Sequence, residues 1–156
     1  LPFYTISKEL FQKILNRNHI AVEKQQMLLQ DLCRTRTIFL QMLLSSSVED
    51  RIPVLSQEAY REMPLLLHRS EAFYEDEIHY TYEEYLEHFQ QTMAFAEKYK
   101  NYVVLPQHAP IFRNIQIQIK HKEWVIISKN KSPVIHFVIQ HPKLRTAIEE
   151  GLWRIQ

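Results

Sequence analysis

Glycine is almost missing from this 156-residue chain, with Gly151 the only one. Glycine-rich phosphate loops and dinucleotide-binding fingerprints need several glycines so that backbone can approach the ligand, and enzymes built on them are excluded. Cysteine is as scarce: Cys33 stands alone. One thiol can form no intrachain disulfide and cannot assemble a thiolate zinc site, so a reducing, cytoplasmic compartment is expected. No signal-peptide pattern is present, and no apolar run approaches the roughly 20 residues that span a bilayer, so no membrane partner is expected. The chain begins at Leu1 and not at methionine. We expect from this a piece of a longer protein, with part of the function in the remainder.

A formal net charge of +1 conceals an uneven distribution. Glu71, Glu75, Asp76, Glu77, Glu83, Glu84 and Glu87 fall in a stretch without lysine or arginine. From Lys98 to Arg145 the signs reverse, with Glu123 the only acid among Lys100, Arg113, Lys120, Lys122, Lys129, Lys131 and Lys143. The two segments can attract one another within a chain or between protomers. The acidic one could also dock a basic partner, which defines one reading of the chain, a protein-interaction module.

At 46% hydrophobic residues the chain can bury an ordinary core. In Asn114-Ile-Gln-Ile-Gln-Ile-Lys120 apolar and polar residues alternate, which predicts a strand with Ile115, Ile117 and Ile119 facing inward. Trp124–Ile127 and Val134–Ile139 are apolar almost throughout and are expected to be covered on both faces, leaving the first strand as the edge. A two-residue turn at His121-Lys122 would oppose Ile119 to Trp124 and Ile117 to Ile126. A longer loop is the alternative, and a one-residue slip would exchange the faces.

Upstream, Ser7 is a candidate N-cap for a helix through about Asn16, striped by Leu10, Phe11, Ile14 and Leu15. A longer helix is expected from about Val22 to Leu44. Its apolar stripe is wider than a single-sided helix needs, so it lies between two layers or meets a second protomer across the 22–44 helix. Ser45-Ser-Ser-Val-Glu-Asp50 reads as a linker. Ile52–Leu55 and Pro64–Leu67 are edge strands or packed loops around a short helix at 57–62. Thr81-Tyr-Glu-Glu84 has capping-box spacing ahead of a helix with Tyr82, Tyr85, Leu86, Phe89, Met93 and Ala96 on its apolar face. Tyr102–Leu105 is a strand, and a closing helix starting at Pro142 is lined by Leu144, Ala147, Ile148 and Leu152. The fold class expected is α+β: an antiparallel sheet of about four strands with helices packed on it. A helical N-terminal segment, 1–47, precedes an α+β domain, 48–156.

None of the 8 histidines forms a His-x-x-x-His pair or a short zinc-type spacing, and Glu75–Glu77 lacks the spaced ligands and glycine of a calcium loop. No metal or cofactor is expected. His136 interrupts an apolar strand and is either a buried neutral imidazole or a ligand contact. Ser128-Lys129-Asn130-Lys131-Ser132 offers hydroxyls and cations on one loop. Arg113 and Asn114, at the entry to a neighbouring strand, could join it. Arg113, Asn114, Ser128, Lys129, Lys131 and His136 are therefore the candidate site for a small anionic ligand, against the alternative of a solvated hairpin end. His141-Pro-Lys143 is similar to half of the His-x-Lys motif of phospholipase D-like enzymes. That motif needs aspartate where Ile148 stands, so a phosphodiesterase using His141 and Lys143 is the alternative to proline as a simple helix start. Direct nucleic-acid binding is not expected: Trp124 is assigned to the core, where it offers no stacking face, and no recognition-helix pattern is present.

The segments Arg113–Gln118, Trp124–Pro133 and Ile135–Ile139, followed by His141-Pro-Lys-Leu144, resemble the C-terminal domain of helix-turn-helix transcriptional regulators from Gram-positive bacteria. The resemblance covers the last third of the chain and, more loosely, the part from Tyr80 onward. It implies an effector-sensing or dimerising regulatory domain without catalysis, whose DNA-binding part would precede Leu1.

Overall fold

A computed structural model gives the fold; it describes residues 1–62, 66–68, 78–129 and 135–153. After a 3-10 turn at Phe3–Thr5 come α1 (Lys8–Arg17), α2 (Val22–Ser45), β1 (Val48–Pro53), α3 (Gln57–Glu62), β2 (Leu66–His68) and β3 (Ile78–His79). Then follow α4 (Tyr82–Lys98), β4 (Tyr102–Gln107), β5 (Ile115–Lys120), β6 (Trp124–Lys129), β7 (Ile135–Ile139) and α5 (Pro142–Trp153). The α+β class and the helical N-terminal segment agree with the sequence.

The helices start where their caps dictate. Ser7 accepts a hydrogen bond from the Leu10 amide at 3.1 Å, and Leu10, Phe11, Ile14 and Leu15 are all buried. At α4 the capping box is complete: the Glu84 amide donates to Thr81 Oγ1 at 3.1 Å and the Thr81 amide to Glu84 Oε1 at 2.8 Å. Glu84 also pairs with Arg17 of α1 at 2.7 Å, so one buried carboxylate caps one helix and ties it to another. The buried face of α4 is nevertheless rotated from the apolar stripe. Tyr85 is buried with Glu84, His88 and Thr92, whereas Leu86 is exposed, because these polar groups find partners within the core.

The sheet has five strands in the order β4-β1-β5-β6-β7 and is mixed, not a four-stranded antiparallel sheet, since β1 and β4 run parallel. β1 occupies the stretch read as the end of a linker. Its register with β4 and β5 makes it an interior strand, so β5 is flanked on both sides and the edges are β4 and β7. Leu66–His68 belongs to a separate two-stranded pair with β3.

Two apolar clusters lie on opposite faces of the sheet. Leu28, Leu32, Phe39 and Leu43 of α2 join residues of α1, Tyr85 of α4, and Val48, Ile52, Tyr102 and Val104 of the strands. This cluster runs without interruption from the helices before residue 47 into the strands after it. Each fully buried Leu, Ile or Phe in it contributes about 1.5–3 kcal/mol. On the other face Ile117, Ile119 and Val125 pack with Leu152 and Ile148 of α5. Leu144 and Ala147, expected on that helix's inner face, are exposed.

Lys120 pairs with Trp124, Ile119 with Val125 and Ile117 with Ile127. The loop therefore holds three residues, His121-Lys122-Glu123, with Lys122 at φ 66, and the register is one residue away from that of a two-residue turn. Trp124 leaves the Ile117–Ile119 face and lies half-buried on the other, where the Lys120 ammonium sits 4.7 Å from its ring centroid. β7 is not covered on both faces; Phe137 is 60% exposed, and Ile135, His136 and Val138 are exposed too. The helical layer packs mainly over the β4 and β1 side of the sheet and stops short of this edge.

A three-residue loop with one left-handed residue makes a specific demand. Lys122→Gly is expected to raise the unfolding free energy by about 1 kcal/mol, since glycine carries no Cβ penalty there. His121→Gly should not stabilise. Urea unfolding of both variants checks this, and equal gains from the two would restore the two-residue turn.

Candidate functional site

Strand pairing gathers most of the expected anion-binding residues. Gln116 faces Ser128, and Ser128 faces His136 on the next strand. Ile115 faces Lys129, which brings Arg113 and Asn114 to the same end of the sheet. Ser128 Oγ and His136 Nδ1 lie 2.7 Å apart. Arg113 and His136 are exposed, and Asn114, Ser128 and Lys129 are half-buried. His136 is thus not the buried imidazole of the sequence reading, because β7 is an edge strand and no described helix covers His136. Lys131 lies outside the described residues, as do Glu71–Glu77 of the acidic stretch. His141 and Lys143 are exposed at the start of α5, where the His141 carbonyl accepts from the Arg145 amide at 2.9 Å. No group of three or more His, Cys, Asp or Glu that could hold a metal occurs among the described residues.

A second polar assembly is buried under the helical layer. Asp50 of β1 is wholly inaccessible, and its Oδ2 accepts from the hydroxyls of Tyr4 and Tyr102. Gln118 Nε2 donates to the Tyr4 hydroxyl at 2.9 Å, and Trp124 Nε1 donates to Gln118 Oε1 at 3.2 Å. The chain of bonds runs from a half-buried indole to a buried carboxyl. Asp50 Oδ1 has no partner among the described residues. Burial raises the Asp50 carboxyl to about 6, against the lowering effect of the Tyr102 and Tyr4 hydrogen bonds. On α4, His88 Nε2 contacts Pro2 O at 2.9 Å and Thr5 Oγ1 at 3.0 Å. A carbonyl oxygen only accepts, so Nε2 carries the proton, and burial holds the ring neutral by pushing its pKa well below the usual histidine range.

Clefts among the described residues include three of note. One of about 310 Å³ lies on the α5 side of the sheet, with apolar walls from Val103 and Ile119 and polar groups from Glu49, Arg51, His121 and Glu149. Arg51 is 5% exposed; its Nε donates to Glu49 Oε2 at 2.9 Å and its Nη1 to Leu152 O at 3.4 Å. Two more open depressions, of about 530 and 470 Å³, border α2, one beside Lys8, Gln12 and Cys33 and the other beside Leu44, Tyr99 and Asn101. The Arg51 cleft was not anticipated. Its polar residues come from β1, the β5–β6 loop and α5, and no sequence spacing links them.

The chain matches no protein-family model, no curated protein and no solved structure. No helix among the described residues is long and apolar enough to cross a membrane.

Asp50 makes stability depend on pH in a definite direction. Its folded pKa of about 6 lies above the ordinary 3.8, so its contribution is full below pH 3.8 and is lost as pH rises through 6. The loss is on the order of 3 kcal/mol. Asp50→Asn lacks this titration. Between pH 4 and pH 7 its unfolding free energy should therefore gain about 2 kcal/mol on wild type. A difference that stays flat across urea titrations at these pH values would mean that Asp50 is ionised throughout.

Proposed function

We propose that the protein is an effector-sensing or oligomerisation domain of a bacterial transcriptional regulator, acting in the cytoplasm. Catalysis and direct nucleic-acid contact are left to other parts of the system. The observation that carries this reading is the Arg51 cleft, of about 310 Å³ and lined by apolar walls with a few convergent polar groups. That combination suits capture of a small molecule. The strand-end group of Arg113, Asn114, Ser128, Lys129 and His136 is a second place where a small anion could be held.

Self-association has its own support. Ile38 and Leu44 of α2 are 57% and 85% exposed, with Val22 and Met27 also in solvent. Apolar side chains on a helix whose other face already fills the core suit a homodimer contact. The rival enzyme reading rests on His141 and Lys143. Both residues are exposed at the start of α5.

Sedimentation over a concentration series should show a dimer that Leu44→Glu converts to monomer without lowering the melting temperature. A pool of cellular metabolites should raise the melting temperature of the same protein. A strict monomer with no thermal response to any pool would overturn the proposal. Turnover of a generic phosphodiester that disappears in His141→Ala would replace it with the enzyme.

A further inference from the structure

The chemistry of the Arg51 cleft is more particular than its size. Arg51 is almost wholly buried, yet only Nε and Nη1 are committed, the latter through a long 3.4 Å contact. Its Nη2 makes no hydrogen bond among the described residues. Arg51 lines the cleft, and a carboxylate entering it could accept from a donor that the fold leaves uncommitted. The Glu149 carboxylate of α5, on the same lining, makes no ion pair or hydrogen bond among the described residues. Glu49 is already engaged with Arg51 at 2.9 Å.

The lining thus sets one cation against two acids, and it discriminates by sign. A simple anion would satisfy Arg51 but would be repelled by Glu149. A simple cation would satisfy Glu149 but would leave the Arg51 donors unmet. A molecule carrying both charges a short distance apart answers both demands, and an apolar side chain on it would cover Val103 and Ile119. We infer that the cleft binds a free α-amino acid with an apolar side chain, its carboxylate on Arg51 and its ammonium on Glu149. The inference rests on reading this cleft as the effector site, and it adds the class of effector.

Calorimetric titration of the whole chain with three compounds of nearly equal size tests it. Leucine carries both charges, 4-methylvalerate only the carboxylate and isoamylamine only the ammonium. Leucine should bind, with removal of either charge weakening binding about tenfold or more. In Glu149→Gln the advantage of leucine over 4-methylvalerate should vanish. Val103 is partly exposed, so Val103→Trp should fill the cleft without unfolding the protein, as circular dichroism would verify, and should abolish leucine binding. Binding of either singly charged compound as tightly as leucine would overturn the inference. So would leucine binding that survives Val103→Trp, or the absence of binding by leucine, isoleucine and valine alike. A thermal response to mixed metabolites that persists in Val103→Trp would overturn the inference while leaving the sensing role intact. Loss of every such response in wild type would remove both.

Discussion

Asp50 and Arg51 are neighbours on one strand, and their side chains belong to opposite faces of the sheet. That single constraint organises the rest. Asp50 meets the hydroxyls of Tyr4 and Tyr102 beneath the helices, while Arg51 meets Glu49 and the Leu152 carbonyl on the side of α5. A slip of β1 by one residue would put a guanidinium into the apolar cluster of α2 and α4, and a carboxyl among Ile117, Val125 and Leu152. Because strand side chains alternate strictly, both errors would occur together. Apolar burial supplies most of the stability and excludes odd slips, which would expose Val48 and Ile52, but a two-residue slip would keep the apolar face. The two buried polar anchors tolerate one register, since each is costly wherever its partners are missing.

The same anchors explain how the lead-in segment is held. Tyr4 bonds to Asp50 and stacks on Phe39 with ring centroids 3.8 Å apart. Arg36 of α2 donates to the carbonyls of Tyr4, at 2.9 Å, and Ile6. Thr5 meets His88 and Thr92 of α4. Three consecutive positions thereby tie the 3-10 turn to the sheet and to two helices. A polar core of this sort adds little net energy when every partner is present, but it leaves few alternatives to the observed packing.

How much of this was legible in the sequence depended on whether the signal was local. Ser7, the Thr81–Glu84 box and Pro142 announce helix starts because a cap acts within one turn of itself, and all three helices begin there. Ile115, Ile117 and Ile119 announce a strand by period alone. β1 was hidden because Glu49, Asp50 and Arg51 break any apolar pattern, and the partners that make them tolerable are far away in sequence. The β5–β6 register was hidden because His121-Lys122-Glu123 contains no glycine, and Lys122 takes positive φ without the residue that usually marks it. The residues expected to meet an anion were chosen by type, and the strands bring Arg113, Asn114, Ser128, Lys129 and His136 to one end of the sheet. His136 was misplaced because an apolar strand was taken to be covered, whereas β7 has a neighbour on one side only.

The difference between the two candidate sites is one of dielectric. Arg113 and Lys129 could each meet an anion at the strand ends, but exposed charges are solvated and screened, and such pairs are worth about 0–1 kcal/mol. Arg51 is desolvated by the fold itself, and a charge-assisted hydrogen bond to a group of that kind is worth about 1.5–3 kcal/mol. Two or three such bonds, with apolar contacts to Val103 and Ile119, reach the range in which a small molecule binds specifically; the exposed cluster would need many more. The cost of burying Arg51 is met in part by Glu49, which keeps the residue in place while the cleft is empty. Glu149 has no corresponding internal partner among the described residues, and this asymmetry between a paired cation and an unpaired acid gives the cleft its preference by sign.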